Sequence, residues 1–342
     1  MKRVKFWGLF GGLLFVHLLS AQVVQPYAIR FQTNQKGGIT YVTNTALTCN
    51  PATNGCTAAT SYTTASINSN TYNNNNWTMQ YVDVDGDAST FMSSSDSLDL
   101  AQCSEITWAG LYWSASNTNG SASTPTGWNN RTQCKFKVNN GAYQTLTADN
   151  IINSTTGYLS YFCYKNVTTL VQNAGTKARF TLADMICWTG GVNYAGGWTL
   201  VVVYKNTNMV DRNLTVFDGL AVVSNGNNTT IPINGFVTPL SGPVNFELGV
   251  VSLDGDRGST GDQLSFNGVA NNYINVNDAM HAASNSFNSS ICYNGVLTPY
   301  RLPNYSNTLG YDASIYVPNN AAKNYIGNNA TSANIRLSTN TD

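Results

Sequence analysis

The chain is poor in charged residues, which make up only 10% of its 342 positions, against about a quarter in an average soluble domain. It contains just two glutamates, Glu105 and Glu247, so long surface helices stabilised by Glu–Lys pairs are not expected. The lysines and arginines are scattered, and the lack of a basic patch argues against a nucleic-acid partner. Asn, Thr, Ser and Tyr are abundant instead, a composition that favours an extracellular β-protein over a cytosolic enzyme.

Histidine is nearly absent: the chain has two, and only His281 lies outside the amino-terminal apolar segment. A Ser–His–Asp or Cys–His arrangement would therefore depend on this residue alone. His281 lies in NDAMHAASN, with no GxSxG and no reactive-cysteine motif elsewhere in the chain. Zinc chemistry lacks its usual motifs as well, because neither HExxH nor CxxC occurs. We expect a structural histidine and a protein that is not an enzyme.

Long apolar runs are missing except at the amino terminus. Residues 1–21 combine three basic residues, an apolar run from Phe6 to Leu19, and the small residues Ser20 and Ala21. This pattern predicts a secretory signal peptide, and the run is short for a membrane span. Its removal leaves 14 of the 17 Lys and Arg residues against 17 Asp and Glu. We therefore expect a secreted or outer-cell-surface protein whose mature chain does not span a membrane.

All seven cysteines follow the predicted signal peptide, and an oxidising compartment favours disulfides. Cys49 and Cys56 flank a Pro/Asn/Gly turn and are predicted to form one. The odd total leaves at least one free thiol or an intermolecular bond. The pairing of the other five stays open: Cys103, Cys134, Cys163, Cys187 and Cys292.

Short segments rich in β-branched and aromatic residues recur along the chain, separated by Asn, Gly, Pro and Ser. Good examples are 106–115, 198–206 and 214–223, the last with an Asp-Gly step that predicts a bulge or a hairpin turn. Helical periodicity is confined to a few short stretches, among them 167–175 and 277–287. Many strands with few helices predict an all-β fold, an antiparallel and jelly-roll-like β-sandwich.

The chain is expected to form two packed β lobes with a few short helices. A polar Asn/Gly stretch, 224–232, separates two apolar blocks. It places a first β-sandwich domain over 22–225 and a second β-rich lobe over 226–342. The second lobe is expected to be incomplete at its carboxyl end, where a last strand runs into polar residues.

Two acidic loops are candidate calcium sites, because calcium prefers several oxygen ligands. In the first, Asp83, Asp85 and Asp87 alternate as in the first half of an EF-hand. Ala88 and Ser94 stand where that motif needs Gly and Glu, so the loop is not an EF-hand. A calcium loop at a sheet edge and a solvated hairpin turn both remain open.

The second acidic loop reads DGDRGSTGDQLSFNG and spans 254–268. It holds Asp254, Asp256 and Asp262, three carboxylates that repel one another unless a positive charge lies among them. That charge is either a calcium ion or the guanidinium of Arg257.

Carbohydrate binding is suggested by aromatic residues, whose flat rings suit the apolar faces of sugars. Strand alternation places Trp108 and Tyr112 on one face and Trp113 on the other. Trp77 and Trp128 lie in Asn-rich segments and are further candidates. The competing interpretation is that these rings belong to the core, since aromatics dominate the buried area of sandwiches.

Glycoside hydrolysis stays open as an enzyme alternative, because a pair of carboxylates needs no sequence motif. Glu105 precedes the strand at 106–115, and Glu247 lies in VNFELGV. Both are equally compatible with solvent-facing positions on strands.

Several stretches, in order and over nearly the whole mature chain, resemble the amino-terminal region of very large surface proteins of Bacteroidetes-type bacteria. They include QTNQKGGITYVTNTALTC, VDVDGDASTFMSSSDSLDL, WAGLYWSA, GGWTLVVVYKN, RNLTVFDGLAVV, GDRGSTGDQLSFNG, SFNSSIC and TLGYDASIYVPNNAAKNYIGNNATSANIRLST. The resemblance implies type IX secretion and an adhesin-like or gliding-motility-associated role. It also implies Ig-like modules and a sorting domain beyond Asp342, so the chain is expected to be a fragment or a truncated member.

The sequence thus predicts an exported, non-catalytic, adhesin-like β-sandwich that is stabilised by calcium and contacts cell-surface or environmental glycans or polymers. Two alternatives remain. One is a lectin-like carbohydrate-binding domain or a glycoside-active enzyme on a jelly-roll fold. The other is a purely structural stalk or cap module.

Overall fold

The computed structural model describes residues 22–50, 73–118, 123–154, 159–269 and 272–341, so the predicted signal peptide lies outside the described residues. Strands dominate the described chain, and one short α-helix and two 3-10 turns, Asn74–Asn76 and Trp128–Asn130, accompany them. In chain order the elements are β1 (Gln22–Thr45), β2 (Leu47–Cys49), β3 (Met79–Tyr81), β4 (Ser93–Asp99), β5 (Ser104–Asn117), β6 (Gln133–Val138), β7 (Gln144–Thr147), β8 (Asn150–Ser154), β9 (Leu159–Asn166), α1 (Thr168–Ala174), β10 (Lys177–Ala183), β11 (Tyr194–Asn206), β12 (Asp211–Val222), β13 (Asn228–Asn234), β14 (Leu248–Gly255), β15 (Gln263–Asn267), β16 (Ile274–Asn275), β17 (Cys292–Tyr293), β18 (Val296–Leu297), β19 (Gly310–Tyr316) and β20 (Ser332–Ser338).

The first part of the chain forms a sandwich of two antiparallel sheets. The larger has the order β12-β1-β11-β5-β9-β8 and the smaller the order β4-β10-β6-β7. Trp113 and Trp198 from the larger sheet and Phe136 and Phe180 from the smaller are almost fully buried in one core cluster. The Phe136 and Trp198 rings meet edge-on, 6.4 Å between centroids. The expected all-β sandwich is confirmed.

The second part of the chain adds two four-stranded sheets, β13-β20-β15-β16 and β14-β19-β17-β18. Leu264, Phe266 and Tyr316 belong to a separate core cluster here. The predicted boundary between residues 225 and 226 falls between β12 and β13. Nothing beyond this placement tests the division into domains, which stays a prediction.

The two parts pack closely where β11 faces β19. A side chain at Gly197 would place its Cβ 2.6 Å from the Tyr311 ring, so only glycine allows this approach. The Tyr311 hydroxyl lies 2.8 Å from the Thr199 hydroxyl, and the Asn44 amide nitrogen donates to the Pro303 carbonyl at 3.1 Å. The outer face of β11 is therefore covered, which explains why its apolar run is buried on both sides.

Two local predictions have clear outcomes. The helix predicted over 167–175 is α1, whereas 277–287 forms no helix. In the latter, the Asp278 backbone nitrogen donates forward to the His281 carbonyl at 3.1 Å, opposite to the helical direction, so the segment folds into tight turns. The Asp-Gly step inside 214–223 lies at a register irregularity of the β1–β12 pair, so it marks a bulge.

Within the described ranges, none of the helical segments is both long and apolar enough to cross a membrane.

Candidate functional site

A cleft of about 610 Å³ lies where the β1–β12 pair meets the chain just after β13. Its floor comes from two adjacent strands and its wall from the segment after β13, so residues far apart in the sequence meet here. The lining includes Asn34, Asp211, Arg212, Asn213, Phe236 and Val237. Amide, charged and apolar side chains thus face one open depression.

Asn213 joins the floor of the cleft to its wall. It lies directly opposite Asn34 in the β1–β12 register. Its amide nitrogen donates to Asn34 Oδ1 at 2.8 Å and to the Gly235 carbonyl at 3.2 Å. Its Oδ1 accepts from the Thr215 hydroxyl at 2.7 Å. These bonds fix the cleft before any ligand arrives.

The Asp211 carboxylate and the amide nitrogen of Asn34 are polar groups of the cleft with no protein partner among the described residues. Both side chains belong to exposed residues. Beside them, Val237 is 67% exposed, while Phe236 packs against the second core cluster. The cleft therefore offers an acceptor, a donor and an apolar surface to a ligand.

The charges around the cleft nearly balance. Arg212 donates to the Gly37 carbonyl at 2.6 Å and has its other terminal nitrogen 3.7 Å from Glu247 Oε1. Lys36 lies opposite Asp211 in the β1–β12 register. The cation in the lining, Arg212, is thus already paired with Glu247 and offers little attraction to an anionic ligand.

In the first acidic loop, protein donors hold the carboxylates. Asp85 accepts from Tyr143 and, at 3.2 Å, from the Thr90 hydroxyl. Lys137 lies 3.6 Å from the same carboxylate. Burial acts to raise the pKa of Asp85, but these hydrogen bonds outweigh it and lower the pKa to about 2. Asp83 Oδ1 accepts from the Ser93 hydroxyl at 2.7 Å.

The second acidic loop connects β14 to β15 and is tied to the first part of the chain. Asn74 donates to Asp254 Oδ1 at 2.8 Å, and the Gly258 backbone nitrogen donates to Asn73 Oδ1 at 3.1 Å. The loop therefore contributes to the contact between the two parts, a role that sequence spacing alone does not reveal.

Arg257 is the centre of this loop. It is 5% exposed, and Asp256 and Asp262 are also buried. Its guanidinium donates to the carbonyls of Ser289 and Ser306. A cation buried among carbonyl oxygens and carboxylates supplies positive charge to the loop without a metal ion.

A further buried carboxylate, Asp312 of β19, lies beside the loop. Its Oδ1 accepts from the Ser290 backbone nitrogen at 3.1 Å, and the Asn288 backbone nitrogen also donates to this carboxylate. Burial raises the pKa of Asp312 to about 7, opposed in part by the Ser290 hydrogen bond and the charge of Arg257. Asp312 was not a candidate from the sequence, because only the fold brings β19 next to this loop.

The described residues contain no group of three or more His, Cys, Asp or Glu side chains arranged to hold a metal ion. Carbonyl, amide and hydroxyl oxygens can also ligate calcium, so calcium binding by either loop, Asp83–Asp87 or Asp254–Asp262, stays a prediction. Thermal unfolding with calcium and with EDTA tests it. Calcium that binds only the native state raises the unfolding midpoint, and an unchanged midpoint excludes it.

His281 forms a hydrogen-bonded chain that resembles a catalytic triad. Its Nδ1 lies 2.8 Å from Asp278 Oδ1, and its Nε2 lies 2.9 Å from the Ser290 hydroxyl. Both His281 and Ser290 are 0% exposed, and Ser290 also donates to Asn288 Oδ1 at 2.6 Å. A substrate cannot reach the serine in this conformation, and the hydrogen bonds hold together the segment between β16 and β17.

The predicted sugar-stacking residues divide into buried and half-buried ones. Trp77 and Trp108 are 9% and 6% exposed, and the Trp108 ring lies between Phe31 and Tyr164. These two rings are core positions with little surface for a ligand.

Stacking on Tyr112 and Trp128 stays a prediction, although Arg131 lies 4.2 Å over Trp128. Tyr112 packs against the same core cluster as Trp108, whereas Trp113 belongs to the core of the first sandwich. The two faces of the strand therefore carry these residues as strand alternation predicted.

The two glutamates are held in surface ion pairs. Glu105 Oε2 lies 2.8 Å from Lys205 Nζ and lines a small recess with Gln172. Glu247 pairs with Arg212 beside the main cleft. The two carboxylates thus line different surface features.

Of the predicted disulfide, Cys49 is disulfide-bonded, while Cys56 lies outside the described residues, so the pairing itself stays a prediction. The five other cysteines carry free thiols, and of these only Cys103 is exposed.

These features define an all-β sandwich protein with an open polar cleft. Comparison of the chain with models of protein families, with curated proteins and with solved structures finds no match in any of the three.

Proposed function

We propose that this protein is an exported, adhesin-like component of the bacterial outer surface that binds a ligand without transforming it. The cleft at the end of the β1–β12 pair carries this proposal. It is open, its framework is fixed by Asn213, and its free groups are a carboxylate, an amide and an apolar surface. Such a set can hold a ligand through several weak contacts.

The buried position of His281 also supports a non-catalytic role, because the residue best suited to proton transfer has no access to a ligand. Export and type IX secretion belong to this proposal and rest on the amino-terminal pattern and on the resemblance. Calcium stabilisation is a further part, and it rests on the two acidic loops.

Incubation of the chain from residue 22 onward with arrayed glycans and bacterial surface polymers tests the proposal. We expect retention of the protein on some of them without release of reducing ends. Release of reducing ends would favour the glycoside-active alternative. Retention on none would favour a structural stalk or cap.

A further inference from the structure

The free groups of the cleft complement hydroxyl groups better than they complement ions. The Asp211 carboxylate accepts hydrogen bonds and the Asn34 amide nitrogen donates them, and neither has a protein partner within the described chain. Adjacent hydroxyls of a sugar ring both donate and accept, so one ring can satisfy both groups. Hydrogen bonds to a carboxylate are stronger than those between neutral groups.

An apolar contact lies next to these polar groups. Val237 is 67% exposed although its neighbour Phe236 packs against the core. Thr238 fixes this segment, because its hydroxyl donates to the Gly327 carbonyl at 2.8 Å and accepts from the Ala330 backbone nitrogen at 2.8 Å. A fixed, exposed valine beside an acceptor and a donor suits the C–H face of a sugar ring.

The charge balance argues against an anionic polymer. Arg212, the cation in the cleft lining, has a terminal nitrogen 3.7 Å from Glu247 Oε1. A sulfated or uronic-acid polymer would meet the Asp211 carboxylate in the cleft lining, and like charges repel.

We propose that the cleft binds a neutral glycan, with Asp211 and Asn34 hydrogen-bonding adjacent hydroxyl groups and Val237 contacting the apolar face of the ring. This inference rests on the proposed function and adds the ligand class and the site. Asn213 is a positioning residue, because its side chain is occupied in holding Asn34 and Gly235 in place.

Two substitutions test the site with matched controls. Asp211→Asn removes the charge but keeps the shape, and Val237→Asp removes the apolar contact. Asp99→Asn changes an exposed carboxylate on β4, and Val296→Asp changes a valine that is 68% exposed and does not line the cleft. Thermal unfolding of all four variants confirms that each is folded.

The measurement is calorimetric titration of each variant with neutral gluco-, galacto-, manno- and xylo-oligosaccharides, and with sulfated and uronic-acid oligosaccharides. We expect the wild-type chain to bind a neutral oligosaccharide. Asp211→Asn and Val237→Asp should each weaken that binding about tenfold or more, and both controls should bind as the wild type does.

Each of the other outcomes would contradict a specific part of the proposal. Binding of neutral sugars that neither cleft substitution weakens would refute the site but leave the proposed function standing. Binding of only the anionic sugars would refute the ligand class. Binding of none of the arrayed ligands or of these oligosaccharides would refute the inference and the proposed function together.

Discussion

At the scale of single residues, the chain with few charges places several of them in its interior. Asp96 and Asp312 are both 3% exposed. Backbone nitrogens of Thr43 and Ser97 donate to Asp96, yet burial still raises its pKa to about 6. A buried carboxylate of this kind opposes folding at neutral pH, so these residues make stability depend on pH.

The Asp312 effect has a definite sign. Its folded pKa of about 7 lies above the ordinary 3.8, so between these values the unfolded chain loses the proton first. The free energy of unfolding therefore falls as pH rises through this window, and the slope for one group approaches about 1.4 kcal/mol per pH unit. Asp96 acts in the same direction.

Asp312→Asn removes one of these contributions. We expect the free energy of unfolding to fall less steeply between pH 3.8 and about 7 than in the wild type, because the asparagine does not titrate. Urea unfolding at several pH values measures both slopes. Equal slopes in the two proteins would contradict the assignment.

Tyr143→Phe tests the first acidic loop. The hydroxyl of Tyr143 donates to Asp85, and its loss should bring the Asp85 pKa up from about 2 toward 3.8. A lowered pKa stabilises the fold above pH 3.8 and the benefit is lost as pH falls toward 2, so the variant should be about 1 kcal/mol less stable at neutral pH.

Tyr300→Phe, at a tyrosine that is 55% exposed, is the control for Tyr143→Phe. It should unfold at the wild-type urea concentration. NMR titration of the Asp85 carboxyl in Tyr143→Phe shows whether a loss of stability comes with the expected rise in the Asp85 pKa. An unchanged Asp85 pKa in Tyr143→Phe would show that the hydrogen bond does not set it.

At the scale of elements, the type of structure was predictable where periodicity is strong and unpredictable where the backbone folds into local turns. The apolar stretch 198–206 forms the larger, carboxyl-terminal part of β11, which extends over Tyr194–Asn206. The stretch 277–287 has a helical pattern but no helix, because its backbone folds into tight turns, one of them closed by the Asp278 nitrogen and the His281 carbonyl. From the sequence, the Asp-Gly step of β12 predicted either a bulge or a hairpin turn. The structure has a bulge there, because the step lies inside a strand that pairs with β1.

Gly197→Ala tests the contact between β11 and β19. The added methyl group would lie 2.6 Å from the Tyr311 ring, and strain of this kind lowers stability by about 1–3 kcal/mol. Gly327→Ala is the control, because no atom lies within 4 Å of its new methyl group. Thermal unfolding compares the two. Equal midpoints would show that Tyr311 moves aside without loss.

At the scale of the whole molecule, the sequence indicated the all-β class but not the cleft. Its lining comes from β1, β12 and the segment after β13, and no local pattern links Asn34 with Asp211 or Val237. The aromatic candidates were chosen for ring chemistry, yet Trp77 and Trp108 are needed in the core. A ligand site formed by distant, short polar side chains leaves no motif, so only the fold shows it.

Hydrogen–deuterium exchange of the chain from residue 22 onward, with and without a retained neutral oligosaccharide, tests the central claim most directly. We expect slower exchange on binding in three stretches that meet at the cleft, namely 34–36, 211–213 and 235–238, with little change elsewhere. Protection confined to other strands, or no protection despite binding, would contradict a glycan site in this cleft.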